Sequence, residues 1–353
     1  MPSHGGRRIQ QGWCVHADES DARFLGDPGR PLLIQDFSSS PATQSSDAFR
    51  HVAFLYAGEP SFVDAIAAFI RDGVAAGEPA LVVVSARKIE LLRAELGEAA
   101  DRVCFADMAG VGQNPGAIIS AWDDFVRDRF AEGQRVRGVG EPIWAGRSQD
   151  ELVECHNHEA LLNLAFADAP GFWLVCPYDT EALDPEVIEH ASRTHPYLSE
   201  NGVERTSPVY RGNDLCGQTF EGDLEPAPAD AYEVAFDQDS LAAMRAFVGE
   251  LAQDAGIEAT RRDDLLLAVS ELATNSVRHG GGSGVLRAWA EGRSLICEVC
   301  DSGRIDAPLT GRLRPPAGGL RGYGLWLVNQ VCDLVQVRAT RAGNVVRMRI
   351  RSW

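Results

Sequence analysis

Lysine is nearly absent from this chain: of the 33 basic residues among 353, only Lys88 is a lysine, which leaves 32 arginines. No phosphate loop of the Gly-Lys-Ser/Thr kind and no protein-kinase strand lysine is available, because Lys88 lacks glycine-rich surroundings. Any nucleotide phosphates must be held by arginine, backbone amides and metal. Long apolar runs are missing too. The longest, Pro79 to Val84 and Phe172 to Cys176, fall well short of the roughly 18 residues a membrane helix needs. Met1 to Arg8 holds no apolar signal core. A cytoplasmic protein without membrane contact is expected, and its eight cysteines read as reduced, buried small hydrophobes. An excess of positive charge is likewise absent. The net charge is -18, yet residues 231 to 353 carry 15 Arg against 14 Asp plus Glu, so the acidity lies in the first 230 residues. That balance excludes direct nucleic-acid binding by the front part.

A chain of 353 residues suits two cores, and 45% hydrophobic residues with 24% charged ones is a composition that folds. Residues 1 to 47, rich in Gly, Ser, Pro and Gln, read as a flexible tail. From 48 to 205, short apolar runs (Val52 to Tyr56, Ala80 to Ser85, Arg102 to Ala106, Arg137 to Ile143, Phe172 to Pro177) alternate with amphipathic stretches. That alternation predicts an α/β domain with a mostly parallel sheet and helices on both faces. Residues 206 to 230, with Pro226 and Pro228 among acidic residues, read as a linker. Residues 231 to 353 predict an α+β domain of two layers: a strand, a helix near Asp239 to Ala255, a second helix with Thr260 and Asp263 as capping box, two antiparallel strands, a helix Gly324 to Cys332 and a terminal hairpin.

Within the second helix the chain reads Ser270-Glu271-Leu272-Ala273-Thr274-Asn275-Ser276-Val277-Arg278-His279-Gly280. Spacings of four and seven put Glu271, Asn275 and Arg278 on one face, while Leu265, Val269, Leu272, Ala273 and Val277 fall at core spacing. A carboxylate, an amide and a guanidinium on one stripe suit a magnesium nucleotide. Asp301-Ser302-Gly303 then ends a strand, where a carboxylate can accept the amine of adenine and a glycine permits close backbone approach. A Gly-rich stretch from Gly311 to Arg321 leads into Gly322-Tyr323-Gly324-Leu325, which opens a helix whose amides can meet phosphate. Each motif alone also reads as an ordinary turn.

Together, Glu271-x-x-x-Asn275, Asp301-x-Gly303 and Gly322-x-Gly324-Leu325 resemble, in order and spacing, the N box and the two glycine boxes of the GHKL ATPase superfamily. Ser270-Glu271-Leu272 and Val277-Arg278-His279-Gly280 resemble its anti-sigma-factor serine kinases more than its sensor histidine kinases. The resemblance implies ATP and magnesium as cofactors, Asn275 as magnesium ligand, Asp301 as reader of adenine, lid glycines on phosphate and Glu271 as general base. Arg278 and Arg321 are candidate charge partners of the phosphates. It also implies a sigma factor and a STAS-type anti-sigma antagonist as partners, with pairing into a homodimer. One departure stands out. Related kinases commonly have Thr or Ser after the glycine of the last hairpin, near the phosphates, whereas Gly343 is followed here by Asn344. An ATP-shaped, partner-binding module without kinase activity is therefore the second reading. A histidine-kinase catalytic half ranks third, since no helical hairpin with a phosphoacceptor His precedes residue 231.

In the front half, His51 to Tyr56, Gly73 to Pro79, Gly140-Glu141-Pro142-Ile143-Trp144, Cys155 to Asn163, Cys176-Pro177-Tyr178-Asp179 and Thr194-His195-Pro196 resemble the MEDS sensory domain. Its pairing with a C-terminal ATPase is similar to anti-sigma regulators of the RsbA type. The resemblance implies sensing of an unknown small ligand. In an open α/β sheet the crevice lies beyond the carboxyl ends of the strands, which nominates Glu141, Trp144, Tyr178 and Asp179. Cys155-His156-x-His158-Glu159, with His190 and His195 later, matches no zinc spacing and reads as a half-buried helix face.

Overall fold

The first sheet is built from strands too apolar to leave either face in water. In this computed structural model, which describes residues 48–130, 133–200, 202–316, 322–340 and 342–352, the elements follow in this order. β1 Arg50–Tyr56, α1 Gly58–Ala76, β2 Ala80–Val84, α2 Ala86–Leu96, β3 Val103–Asp107, α3 Met108–Val111, α4 Pro115–Phe130, β4 Val136–Gly140, α5 Gln149–Ala165, β5 Phe172–Asp179, α6 Pro185–Thr194, β6 Tyr197–Glu200, β7 Val203–Thr206 and α7 Asn213–Cys216 make up the front half. The expected tail, and Arg321 among the nominated site residues, lie outside the described residues.

Seven strands line up as β3-β2-β4-β5-β1-β6-β7, with only β7 antiparallel to its neighbour. Side-chain alternation sorts the strands onto two faces. Val52, Phe54 and Tyr56 of β1 share a core with Phe62, Ile66 and Ile70 of α1 and Leu92 of α2. Ala53 and Leu55 share another with α4 residues such as Ile119 and Trp122 and α5 residues such as Leu161. Helices thus cover both faces, as the continuous apolar runs require.

The second half comprises β8 Tyr232–Asp237, α8 Leu241–Asp254, α9 Ala259–His279, β9 Ser283–Glu291, β10 Ser294–Asp301, α10 Tyr323–Val331, β11 Leu334–Thr340 and β12 Gly343–Arg351. Its five strands run β11-β12-β10-β9-β8, each antiparallel to the next. One face packs on Met244 and Val248 of α8, Leu265, Val269 and Leu272 of α9, and Leu325 and Val328 of α10. The other face carries Glu298, bonded by Arg347 on β12 and Arg287 on β9. Cys297 is buried among the helices and Cys300 lies on the opposite face, as a strand dictates.

Three local expectations need correction. Thr260 and Asp263 do not cap α9: the helix starts after Glu258, and the Thr260 hydroxyl donates to the Glu258 carboxylate instead. The segment before β8 is not a bare linker, because α7 lies in it and the Phe220 carbonyl accepts from Ala339 N at 3.1 Å. Among the described residues six cysteines carry free thiols, but Cys104 is disulfide-bonded rather than reduced.

The halves meet through polar contacts inside a buried seam. Asn114 donates to the Asn329 carbonyl at 2.9 Å, and the Trp326 indole donates to Ser120 Oγ at 2.9 Å. Glu154 of α5 accepts from Arg338 at 2.9 Å and Arg312 at 3.3 Å. Gly116 makes the approach possible, since a methyl group there would fall 2.0 Å from Asn329 Oδ1.

Candidate functional site

α9 buries Leu265, Ala268, Val269, Leu272, Ala273 and Ser276, and its last two turns, from Leu272 on, face the start of α10 and the end of β10. There a cavity of about 260 Å³ opens, with Leu272, Val299, Ile305, Leu325 and Val346 as apolar walls and Asn275, Asp301 and Asn344 as polar ones. Gly322 and Gly324 form its rim at the start of α10. Gly322 takes a left-handed φ of 93°, which turns the chain into the helix and leaves the first-turn amides and the positive dipole end at the cavity mouth.

Asn275 lines the cavity, and Glu271, which does not, meets it beside Gly324 at that rim. A methyl group on Gly324 would sit 2.9 Å from both Asn275 Nδ2 and Glu271 Oε2, so the absent side chain is what lets α10 start against this pair. Asp301 closes the far end. Its Oδ2 accepts from Ser276 Oγ at 2.6 Å, and its Oδ1 accepts from Gly303 N at 2.8 Å and Asn344 Nδ2 at 3.1 Å. A carboxylate offers about four lone-pair sites, which leaves one for a further donor. A methyl group on Gly303 would meet Gly280 Cα at 2.9 Å, so the end of α9 packs closely against this glycine.

Asn344 bridges Asp301 and the loop after β10, with Oδ1 accepting from Ile305 N at 2.9 Å and Nδ2 donating to Asp301. Arg278 is exposed and does not line the cavity, where His279 and Arg304 stand instead. Sequence reading missed Ser276 because it sits on the buried side of α9, next to the more conspicuous Asn275.

The four residues nominated in the front half do not form one site. Glu141 is buried and accepts from Tyr56 OH at 2.8 Å and Lys88 Nζ at 2.5 Å, which gives the single lysine its partner. Burial pushes the Glu141 carboxyl up, against the pull of Lys88. Tyr178 and Asp179 are neighbours on β5 and face opposite ways: Tyr178 is buried edge-on to His195 at 5.6 Å, on the α5 side. Trp144 is exposed, with the Arg147 guanidinium 3.7 Å from its ring. The open cleft of about 650 Å³ at the end of β1 is lined instead by residues such as Phe54, Pro60, Ser61 and Asp64.

A two-layer domain with a polar-striped helix, a strand-end Asp-x-Gly and a glycine-started helix around one cavity is the plan of a nucleotide-binding ATPase. Residues 234–350 match the family model described as the histidine kinase-like ATPase domain, and residues 50–196 match MEDS, the MEthanogen/methylotroph, DcmR Sensory domain. The chain therefore joins a MEDS domain to a histidine kinase-like ATPase domain. Among solved structures, the RsbU and RsbW domains of Rv1364c from Mycobacterium tuberculosis are similar at 19% identity with a TM-score of 0.27. That similarity covers 35% of this chain and 33% of that chain, so this chain spans about a third of its length. No curated protein matches. Among the described residues no helix is long and apolar enough to cross a membrane.

Proposed function

We propose that this chain is a cytoplasmic, ATP-dependent anti-sigma regulator whose C-terminal domain phosphorylates a serine or threonine of an anti-sigma antagonist and binds a sigma factor. The observation that carries this reading is the convergence of Glu271, Asn275 and Gly324 at one end of a cavity that Asp301 closes at the other. The residues fit MgATP: apolar walls suit a flat base, and the free acceptor capacity of Asp301 suits an exocyclic amine. The cavity, at about 260 Å³, is smaller than the roughly 300 to 1,000 Å³ of whole-ligand pockets, so it would take the base and leave the triphosphate to Gly322 and Gly324 at the rim. When bound, MgATP supplies the transferable phosphoryl group. Asn275 would hold the cation, the amides at Gly322 and Gly324 would receive phosphate oxygens, and Glu271 would take the proton from the acceptor hydroxyl.

Sensory gating has its own support. The same α10 that rims the cavity is held by Asn114 and Ser120, and Arg312, on the stretch leading to the rim, is held by Glu154. Asn344, where kinases of this kind carry Thr or Ser, favours the second reading, a partner-binding module without transfer. Incubating the full chain with labelled ATP and the antagonist that co-purifies with it separates the two. Label on antagonist serine or threonine is the expected result. Saturable ATP binding without label would select the module, and no saturable binding would overturn both.

A further inference from the structure

Four side chains distant in sequence converge on the α5 side of the first sheet: His51 from β1, Glu159 from α5, Cys176 from β5 and His195 just after α6. Each offers one donor atom, and the four atoms lie within 4.8 Å of one another. All four residues are buried, none with more than 1% of its surface exposed. Nε2 of His51 lies 3.2 Å and Nε2 of His195 lies 3.3 Å from the same oxygen, Glu159 Oε2. Cys176 Sγ is 3.4 Å from His51 Nε2.

The neighbours fix where the protons are. Asn163 gives its Nδ2 to the carbonyls of Glu159, Ala160 and Thr194, which turns its Oδ1 toward His51 Nδ1 at 3.1 Å. An amide oxygen only accepts, so His51 Nδ1 carries the hydrogen. His195 Nδ1 faces the Ala191 carbonyl at 2.8 Å and carries its hydrogen for the same reason. Both Nε2 lone pairs therefore point at a carboxylate oxygen that also has only lone pairs to offer. Three acceptors in mutual contact, sealed from water, repel one another; the single thiol hydrogen of Cys176 can satisfy one of them, whereas a cation among them would satisfy all three. Glu159 Oε1 and His195 Nε2 are buried without a hydrogen-bond partner.

We propose that His51, Glu159, Cys176 and His195 form a binding site for one divalent transition-metal ion, with zinc the best match to the donor set. Zn–N and Zn–O bonds of about 2.0 to 2.2 Å and a Zn–S bond of about 2.3 Å put tetrahedral ligand atoms roughly 3.3 to 3.6 Å apart. The N···O and N···S separations of 3.2, 3.3 and 3.4 Å lie within about 0.2 Å of this spacing. Imidazole held through Nδ1–H to a carbonyl oxygen is the usual outer-shell arrangement of a metal-bound histidine. Binding takes the proton from Cys176 Sγ and releases it to solvent, so uptake strengthens as pH rises. With four protein ligands the site is closed, and the ion would tie β1, β5, α5 and the end of α6 together.

The test uses the full chain, stripped with a chelator and titrated with Zn²⁺ alone and with Co²⁺ as a spectroscopic probe. About one equivalent per chain is expected, with tetrahedral Co²⁺ bands and a thiolate charge-transfer band. Cys176→Ser should abolish the charge-transfer band, and His195→Ala should weaken uptake at least tenfold. His156→Ala and His190→Ala, which alter a separate histidine pair, should leave both unchanged. If the Cys176 variant does not fold, the wild-type spectrum decides. Uptake well below one equivalent by folded wild-type chain, a spectrum lacking sulfur ligation, or equal affinity in a folded Cys176→Ser variant would each overturn the proposal.

Discussion

Gly324 lacks a side chain at the point where a methyl group would lie 2.9 Å from both Asn275 Nδ2 and Glu271 Oε2. The position is the second of α10 and has no left-handed φ, so Gly324→Ala leaves the helix intact and displaces the two polar side chains. Nucleotide affinity is expected to fall about tenfold or more, equivalent to at least ~1.4 kcal/mol, with an unchanged far-ultraviolet circular dichroism spectrum. Unaltered titration curves would remove the rim from the binding account. Glu271→Gln keeps size and removes the base: phosphoryl transfer should drop by about 10² to 10⁴ while ATP titrates as before. Equal transfer rates would release Glu271 from that role. At this scale the sequence was legible where a motif lies on one contiguous stretch, as with Glu271 to Asn275. It was opaque where side chains meet across the chain, as Ser276, Asp301 and Asn344 do.

Among the elements, β1 to β5 and their helices were readable because each apolar run is long enough to demand burial. β6 and β7 were not, since Tyr197–Glu200 and Val203–Thr206 are four residues each, with polar side chains among them. Opposite orientations of Tyr178 and Asp179 follow directly from strand geometry, which is why the nominated foursome separates. The α5 and α6 contact also carries a pH dependence. His156 and His190 stack at 4.1 Å and 3°, and burial followed by His190 lowers His156 from 6.5 to about 4. The unfolded chain binds this proton near 6.5 and the folded chain only near 4, so stability is full above 6.5 and declines as pH falls toward 4. Thermal melts across that window should show the decline, and His156→Gln should make it shallower, the remainder coming from His158 and His190, which burial lowers in the same direction. Parallel curves for variant and wild type would mean that the proton is taken up elsewhere.

For the molecule as a whole, Glu154 is the group on which the seam between halves depends. It is 1% exposed and pairs with both Arg338 and Arg312. Glu154→Ala strands two buried guanidinium groups, an arrangement that typically costs about 3 to 5 kcal/mol. At about 2 to 4 °C per kcal/mol for units of this size, Tm should fall by at least ~6 °C, with the two halves melting separately. A single unshifted transition would show that the seam does not depend on this carboxylate. None of these pairings was visible in the sequence, since Glu154 and Arg338 lie 184 positions apart.

The nine residues of α10 have two landlords: Ser120 and Asn114 hold one side, and the nucleotide rim begins at its first turn. If a compound taken up by the MEDS domain repositions this helix and changes the grip on ATP by some factor, thermodynamics obliges ATP to change the grip on that compound by the same factor. A square of four calorimetric titrations, each ligand with and without the other, must therefore close, and its diagonal measures how much of one half's occupancy is legible to the other.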